Sequence, residues 1–252
     1  MITLSTILRK MLSRRGLKIV HAQEAHWVEF NESEIATLQM VSPITMTSWN
    51  RLQALAIAVR YINLNSIEGD FVECGVWAGG SIAAAAKLDT KSASRKYWLY
   101  DTFEGMTRPT IEDSELALIE WETKVNADGT SEWCRANQDQ VRKNLIEVGV
   151  NINQCIFVVG DVTETLLIDS NLPKSISLLR LDTDWYKSTK IELETLYSRL
   201  SPGGVLVIDD YGDWEGSRRA TEEFFSQLDF KPLLFPIDSA GRILVKPIVS
   251  DR

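Results

Sequence analysis

Residues 177–211 read SLLRLDTDWYKSTKIELETLYSRLSPGGVLVIDDY, and their character changes three times along the way. An apolar run, Leu178-Leu179-Arg180-Leu181, ends abruptly in acid at Asp182 and Asp184. A helix-like segment follows, with Ile191, Leu193, Leu196, Tyr197 and Leu200 available for a buried face, and Pro202-Gly203-Gly204 is expected to stop it. A second apolar run, Val205 to Ile208, again ends in acid, at Asp209-Asp210. A strand, a crossover helix and a second strand make two neighbouring strands run parallel. Both acid clusters then stand at the carboxyl ends of their strands, where open α/β sheets bind ligands. Carboxylates converging there repel one another unless a cation sits among them. Asp182, Asp209 and Asp210 are therefore expected to hold a divalent metal, and all-oxygen ligation favours Mg²⁺, Mn²⁺ or Ca²⁺ over zinc. Any one of these acids alone is as well read as a helix cap or a solvated strand end. The expectation rests on the triple.

Upstream, Ser48 is a plausible N-cap for a helix with Leu52, Leu55, Ala56, Val59 and Ile62 on one face. Asp70 to Cys74 reads as the first strand, followed by Gly75-Val76-Trp77-Ala78-Gly79-Gly80-Ser81 and an alanine-rich helix from Ile82 to Leu88. Glycines between a strand and a helix let the backbone approach a ligand at the helix's positive end. The spacing G-x-x-x-G-G departs from the dinucleotide fingerprint G-x-G-x-x-G. The second strand, Tyr97 to Tyr100, closes on Asp101, an acid placed to accept hydrogen bonds from ribose hydroxyls or simply to end a strand. A third, Ile156 to Val159, ends in Gly160-Asp161. Between them an insertion from about Gly105 to Gln138 carries Glu112, Asp113, Glu115, Glu120, Glu122, Asp128 and Glu132 with Trp121 and Trp133. It reads either as a lid whose aromatics stack on sugar rings or as a solvated acidic helix pair. After Asp210, a helix is expected from about Ser217 to Leu228, then edge strands at Lys231–Phe235 and Arg242–Lys246.

At 252 residues and 44% hydrophobic content the chain can bury a sizeable core, and no repeat or linker divides it, so residues 1–252 are read as one domain. Its first 45 residues read as a helical arm, basic near its start at Arg9, Lys10, Arg14, Arg15 and Lys18. That arm suits packing on the domain itself or on a partner subunit of a homo-oligomer, or lying on a membrane surface. The net charge of −8 argues against nucleic acid as partner, because phosphate binding needs a basic footprint. Cys74, Cys134 and Cys155 lack metal or disulfide spacing, His21 and His26 do not share a helix face, and no apolar run reaches the ~18 residues of a membrane span. A cytoplasmic protein with no integral membrane segment is expected.

Taken together, FVECGVWAGGS (71–81), YDTFEGM (100–106), LDTDWY (181–186) and SPGGVLVIDDY (201–211) resemble the macrocin O-methyltransferase, or TylF-like, family of class I methyltransferases. The resemblance runs from about Thr45 to Trp214. It implies a Rossmann-like α/β fold: a mostly parallel seven-stranded sheet with an antiparallel last strand and helices on both faces. It also implies S-adenosylmethionine (SAM) and Mg²⁺ as cofactors, and a hydroxyl, typically on a sugar of a natural product, as methyl acceptor. Carried over by residue, Glu73, Gly75, Gly79 and Ser81 line the methionine end of SAM. Asp101, Thr102 and Phe103 hold ribose and adenine, and Asp161 sits near the adenine amino group. Asp182, Asp209 and Asp210 match the metal ligands and Asp184 the general base, with Lys187 a second candidate for that role if burial lowers its pKa. The segment 160–166, GDVTETL, departs from the family's usual G-W-F-x-D-T-L. A catechol acceptor would chelate the same metal. A nicotinamide oxidoreductase, a metal-dependent hydrolase and a non-catalytic SAM or glycan sensor are the readings from other classes.

Overall fold

The computed structural model describes residues 29–91, 94–127 and 131–248. The basic start of the N-terminal arm, both histidines and Asp128 lie outside them. Among the described residues, two α-helices, α1 (Glu32–Val41) and α2 (Trp49–Leu64), precede the sheet. Asn31 and Glu34 form a reciprocal capping box on α1, and Ser48 caps α2 as expected by accepting from the Arg51 N–H. Then come β1 (Asp70–Cys74), α3 (Gly80–Leu88), β2 (Tyr97–Asp101), α4 (Glu115–Glu122), α5 (Gln138–Glu147), β3 (Cys155–Val159) and the single turn α6 (Val162–Thr165). The chain continues through β4 (Ile176–Leu181), α7 (Tyr186–Leu196), β5 (Leu200–Ile208), α8 (Glu215–Ser226), β6 (Phe235–Pro236) and β7 (Arg242–Val245).

The strands order as β3-β2-β1-β4-β5-β7-β6, with β1 to β5 parallel to one another and β7 antiparallel to both its neighbours. The expected seven-stranded class I arrangement is borne out. Side chains alternate across it. Phe71, Leu178, Val205 and Val207 face α1, α2, α3 and α5, while Val72, Cys74, Leu179, Leu206 and Ile208 face α6, α7 and α8. Strands covered on both faces must be apolar throughout, which is why β4 is buried at all six positions. Arg180 is therefore a charge inside a closed layer.

The helix after β4 stops earlier than Pro202 would require. It ends at Leu196 and tightens into a 3₁₀ turn, Tyr197–Arg199. Carbonyls just beyond it find a distant partner: Lys246 Nζ donates to Tyr197 O at 2.9 Å and Leu200 O at 2.6 Å. No helix among the described residues is long and apolar enough to cross a membrane.

Candidate active site

Register aligns the strand ends. Tyr100, Cys74, Leu181 and Ile208 pair in one row across β2, β1, β4 and β5. The ladder continues one residue further, with Gly75 N–H donating to Tyr100 O, Asp182 N–H to Cys74 O and Asp209 N–H to Leu181 O at 2.8–2.9 Å. Asp101, Gly75, Asp182 and Asp209 thus stand side by side along one rim. The chain leaves β1 for β2 and β3 on one side and for β4 and β5 on the other, and a cavity opens at this switch point.

On the β1–β3 side, Gly75 has φ +78, and a β-carbon there would strike the carbonyl of Asp182. Only glycine lets the two strand ends pass so closely. Asp101 organises the glycine-rich turn: one carboxylate oxygen accepts from Val76 and Trp77 N–H at 2.8 and 3.1 Å, the other from Phe103 N–H at 2.8 Å. Burial raises its pKa while these donors pull it down. Ser81 joins Thr45 and Thr47 in a cluster of hydroxyls at 3.2 and 3.0 Å. Asp161 caps α6 through Thr163 N–H and Oγ1.

On the β4–β5 side, carboxylate oxygens of Asp182, Asp184 and Asp210 all lie within 4.8 Å of one another. Asp184 has φ +66, a strained value for a residue with a side chain, and its N–H donates to Asp210 at 3.1 Å. Burial raises all three carboxyls. It is the largest cause in each case, lifting Asp184 to about 7, and the neighbouring aspartates add to it. Beneath them Arg180 bonds Glu73 at 2.5 Å, Asp182 at 2.7 Å and Asp209 at 2.7 Å, and donates to Thr47. The other oxygen of Asp209 takes Arg51 Nη1 at 2.5 Å, and Arg51 Nε reaches Asp238 at 2.9 Å.

Of the residues expected at the site, Gly75, Ser81, Asp101, Thr102, Asp161, Asp182, Asp184, Asp209 and Asp210 line the cavity. Four are not brought to it. Glu73 is buried under the rim against Arg180, and burial lifts its carboxyl to about 7. Gly79 is the left-handed residue before α3 and faces Val141 and Leu145. Phe103 sits in the core against Phe157 and reaches the site only through its backbone N–H. Lys187 is exposed, so the burial that a lysine base requires is missing. The gathered trio contains Asp184 where the sequence suggested Asp209, because Asp209 is engaged by two guanidinium groups. Arg51, Thr45 and Thr47 were missed. Arg180 had a signal, a lone cation in an apolar strand.

The insertion is pinned across this loop. Asp113 accepts from the N–H of Tyr186, the first residue of α7, at 2.8 Å, supplying the cap that Trp185 does not. Trp185 Nε1 donates to Thr107 O at 2.9 Å. Trp133, Trp185 and Trp214, from three separate segments, meet edge-on with ring centroids 5.0–6.0 Å apart. Of the insertion's acids among the described residues, only Asp113 is buried.

The family model for macrocin-O-methyltransferase (TylF) matches residues 7–246. A tetracenomycin-C derivative 4'-O-methyltransferase of Streptomyces olivaceus, named for a 2,3-dimethoxy-α-L-rhamnosyl substrate, is 32% identical over 78% of this chain and 73% of its own. Demethyldecarbamoylnovobiocin O-methyltransferase of Streptomyces niveus is 28% identical over 78% and 73%. Among solved structures, the O-methyltransferase NovP superposes with a TM-score of 0.73 at 26% identity, covering 81% of this chain and 83% of that one. The calicheamicin methyltransferase CalS11 shares the fold at TM-score 0.60 and 18% identity, over 87% and 95%.

Proposed function

Since this chain belongs to the macrocin-O-methyltransferase (TylF) family and is an SAM-dependent O-methyltransferase, we propose that it methylates a hydroxyl on a sugar-bearing natural product with the help of Mg²⁺ or Mn²⁺. The observation that carries this reading is the cluster of Asp182, Asp184 and Asp210, which faces the Gly75 turn and Asp101 across one cavity. The donors suit a hard divalent ion: they are all carboxylate oxygens, gathered within 4.8 Å of one another at one edge of the cavity.

SAM, when bound, supplies an activated methyl group on a sulfonium. We assign its methionine end to the Gly75–Ser81 turn and its ribose to Asp101, whose carboxylate is already held in place by three backbone N–H groups. Thr102 and Asp161 lie along the same wall. A sugar hydroxyl is a weak nucleophile, and a divalent cation bound beside it lowers its pKa by several units. Asp182 and Asp210 would hold that cation, with Asp209 as third ligand on the family pattern. Each Asp209 oxygen accepts one guanidinium N–H and keeps a second lone pair. Asp184 then takes the hydroxyl proton as general base. The remaining acceleration comes from alignment, which this rim, anchored by strand hydrogen bonds, is built to give. One observation favours a second assignment, in which Asp184 rather than Asp209 completes the ligand set: Asp184 is the one within 4.8 Å of the other two.

Calorimetric titration with S-adenosylhomocysteine (SAH), with NAD⁺ as control, tests the cofactor. Tight binding of SAH alone is expected, nearly the same with and without Mg²⁺. Mn²⁺ binding to Asp209→Asn and Asp184→Asn separates the ligand assignments. The first assignment expects Asp209→Asn to lose the ion and Asp184→Asn to keep it, with turnover down by orders of magnitude in both. The opposite pattern of Mn²⁺ loss transfers the ligand role to Asp184.

A further inference from the structure

The cavity wall beyond the acid cluster ends in Trp214, and the fold fixes that ring from several directions. Its backbone N–H donates to Asp210 O at 2.9 Å, and its carbonyl starts α8 by accepting from Arg218 at 3.1 Å. Its ring meets Trp185 at 5.0 Å and Trp133 at 6.0 Å, both near edge-on. Trp185 is itself buried and tethered to Thr107, and Lys124 Nζ sits 3.7 Å from the centre of Trp133. An indole held this way has little conformational freedom to lose on binding, which is what makes an aromatic anchor effective. Trp214 nevertheless stays partly exposed and lines the cavity, next to Asp184 and Asp213.

We propose that Trp214 is the platform on which a pyranose ring of the acceptor stacks, held in place by Trp133 and Trp185, so that the ring's hydroxyls are presented to the neighbouring carboxylates. This inference rests on the methyltransferase reading above. A pyranose has an apolar C–H face and a rim of hydroxyl donors, and needs both an aromatic surface and several acceptors. Asp184, Asp210 and Asp213 line the same cavity as the indole and supply acceptors, and Arg51, which spends three of its five N–H groups on Asp209, Asp213 and Asp238, has donors left for the ring or glycosidic oxygen. A catechol offers only two hydroxyls, both of which the cation would take, leaving none for Asp213, which pairs with Arg51 Nη2 at 3.3 Å. Trp214 is a specificity residue here, and Trp133 and Trp185 are positioning residues.

The test uses the full chain saturated with SAH and Mg²⁺, probed by saturation-transfer NMR with methyl α-L-rhamnopyranoside and, separately, catechol. Transfer to the ring C–H protons of the glycoside is expected. Trp214→Leu should weaken glycoside binding about tenfold or more, and Trp214→Phe by less than about threefold, while SAH affinity stays within twofold in both. Independently of any variant's folding, ¹⁵N-indole spectra of the wild-type chain should show the Trp214 signal shifting on glycoside addition while that of Trp49 stays still. Three results overturn the proposal: glycoside binding unchanged in Trp214→Leu, a Trp214 indole signal that ignores the glycoside, or loss of catechol binding alone. Absence of glycoside binding to SAH-loaded wild-type protein overturns it too. Failure of the methyltransferase reading has its own signature, no SAH binding by the wild-type chain.

Discussion

Arg180 carries three carboxylates on one guanidinium, and it is 3% exposed. Taking it away leaves Glu73 buried without a counter-charge and Asp209 with Arg51 alone, the costly way to break an internal ion pair. Arg180→Met is expected to lose about 3–5 kcal/mol in denaturant unfolding. Arg180→Lys should recover only part of that, because a point charge cannot span Glu73, Asp209 and Thr47 as a planar fork does. A loss below about 1 kcal/mol in Arg180→Met would show that these acids are protonated in the fold. Asp238 gives the pH counterpart. Burial raises its pKa, but the Gly241 and Ala240 N–H groups, Arg51 and Ser48 outweigh it and bring the value from 3.8 to about 2. A folded value below the unfolded one means a contribution fully present above pH 3.8 and lost as pH falls through 2. The stability gap between wild type and Asp238→Ala should therefore shrink steadily as pH falls from 5 toward 2; a gap that is flat or widens contradicts the pairing. The aspartates at 182, 184, 209 and 210 were legible as a group, because acid closing two successive apolar runs gathers carboxylates at one sheet edge, whereas any one of them alone reads equally well as a cap. Their partner Arg51 was not, since it lies 158 positions from Asp209 and only the folded chain joins them.

Strands were the most readable elements, because burial on both faces demands unbroken apolar runs. β1, β2, β3 and β4 begin or end within two residues of expectation. The exit of α7 was not readable, since the carbonyls just beyond it are satisfied by Lys246 from beyond the last strand. The insertion was readable only as an acidic, tryptophan-bearing connection. Its buried carboxylate Asp113 is the latch: besides capping α7, it occupies the space where Gly216, at the start of α8, would carry a β-carbon. Asp113→Ala should remove a cap of about 0.5–2 kcal/mol and release the insertion from the acid loop. Limited proteolysis within residues 105–138 is expected to speed up several-fold, and the acceptor KM to rise while SAH affinity holds. Cleavage at the wild-type rate would mean that Trp185 and Thr107 hold the insertion without it.

At the scale of the whole molecule, sheet order decides where chemistry can occur. The β1/β4 switch point brings a turn from the first third of the chain against acids from the last third, and the aligned strand ends set both at one height. This level was inferable from the alternation of strands and helices, and the family likeness supplied the antiparallel edge. What the sequence did not reveal is that Ser48 and Arg51, ahead of the first strand, and Asp238, beyond the last helix, close together on Asp209. This closure has a consequence for the order of biosynthesis. Translation delivers the Gly75 turn and Asp101 early, together with the Val76, Trp77 and Phe103 N–H groups that hold Asp101, while β1 still awaits β4 on its other edge. The Asp209 clamp has to wait until Asp238 clears the ribosome. A nascent chain therefore holds its Gly75–Asp101 turn in place well before its acid loop is locked.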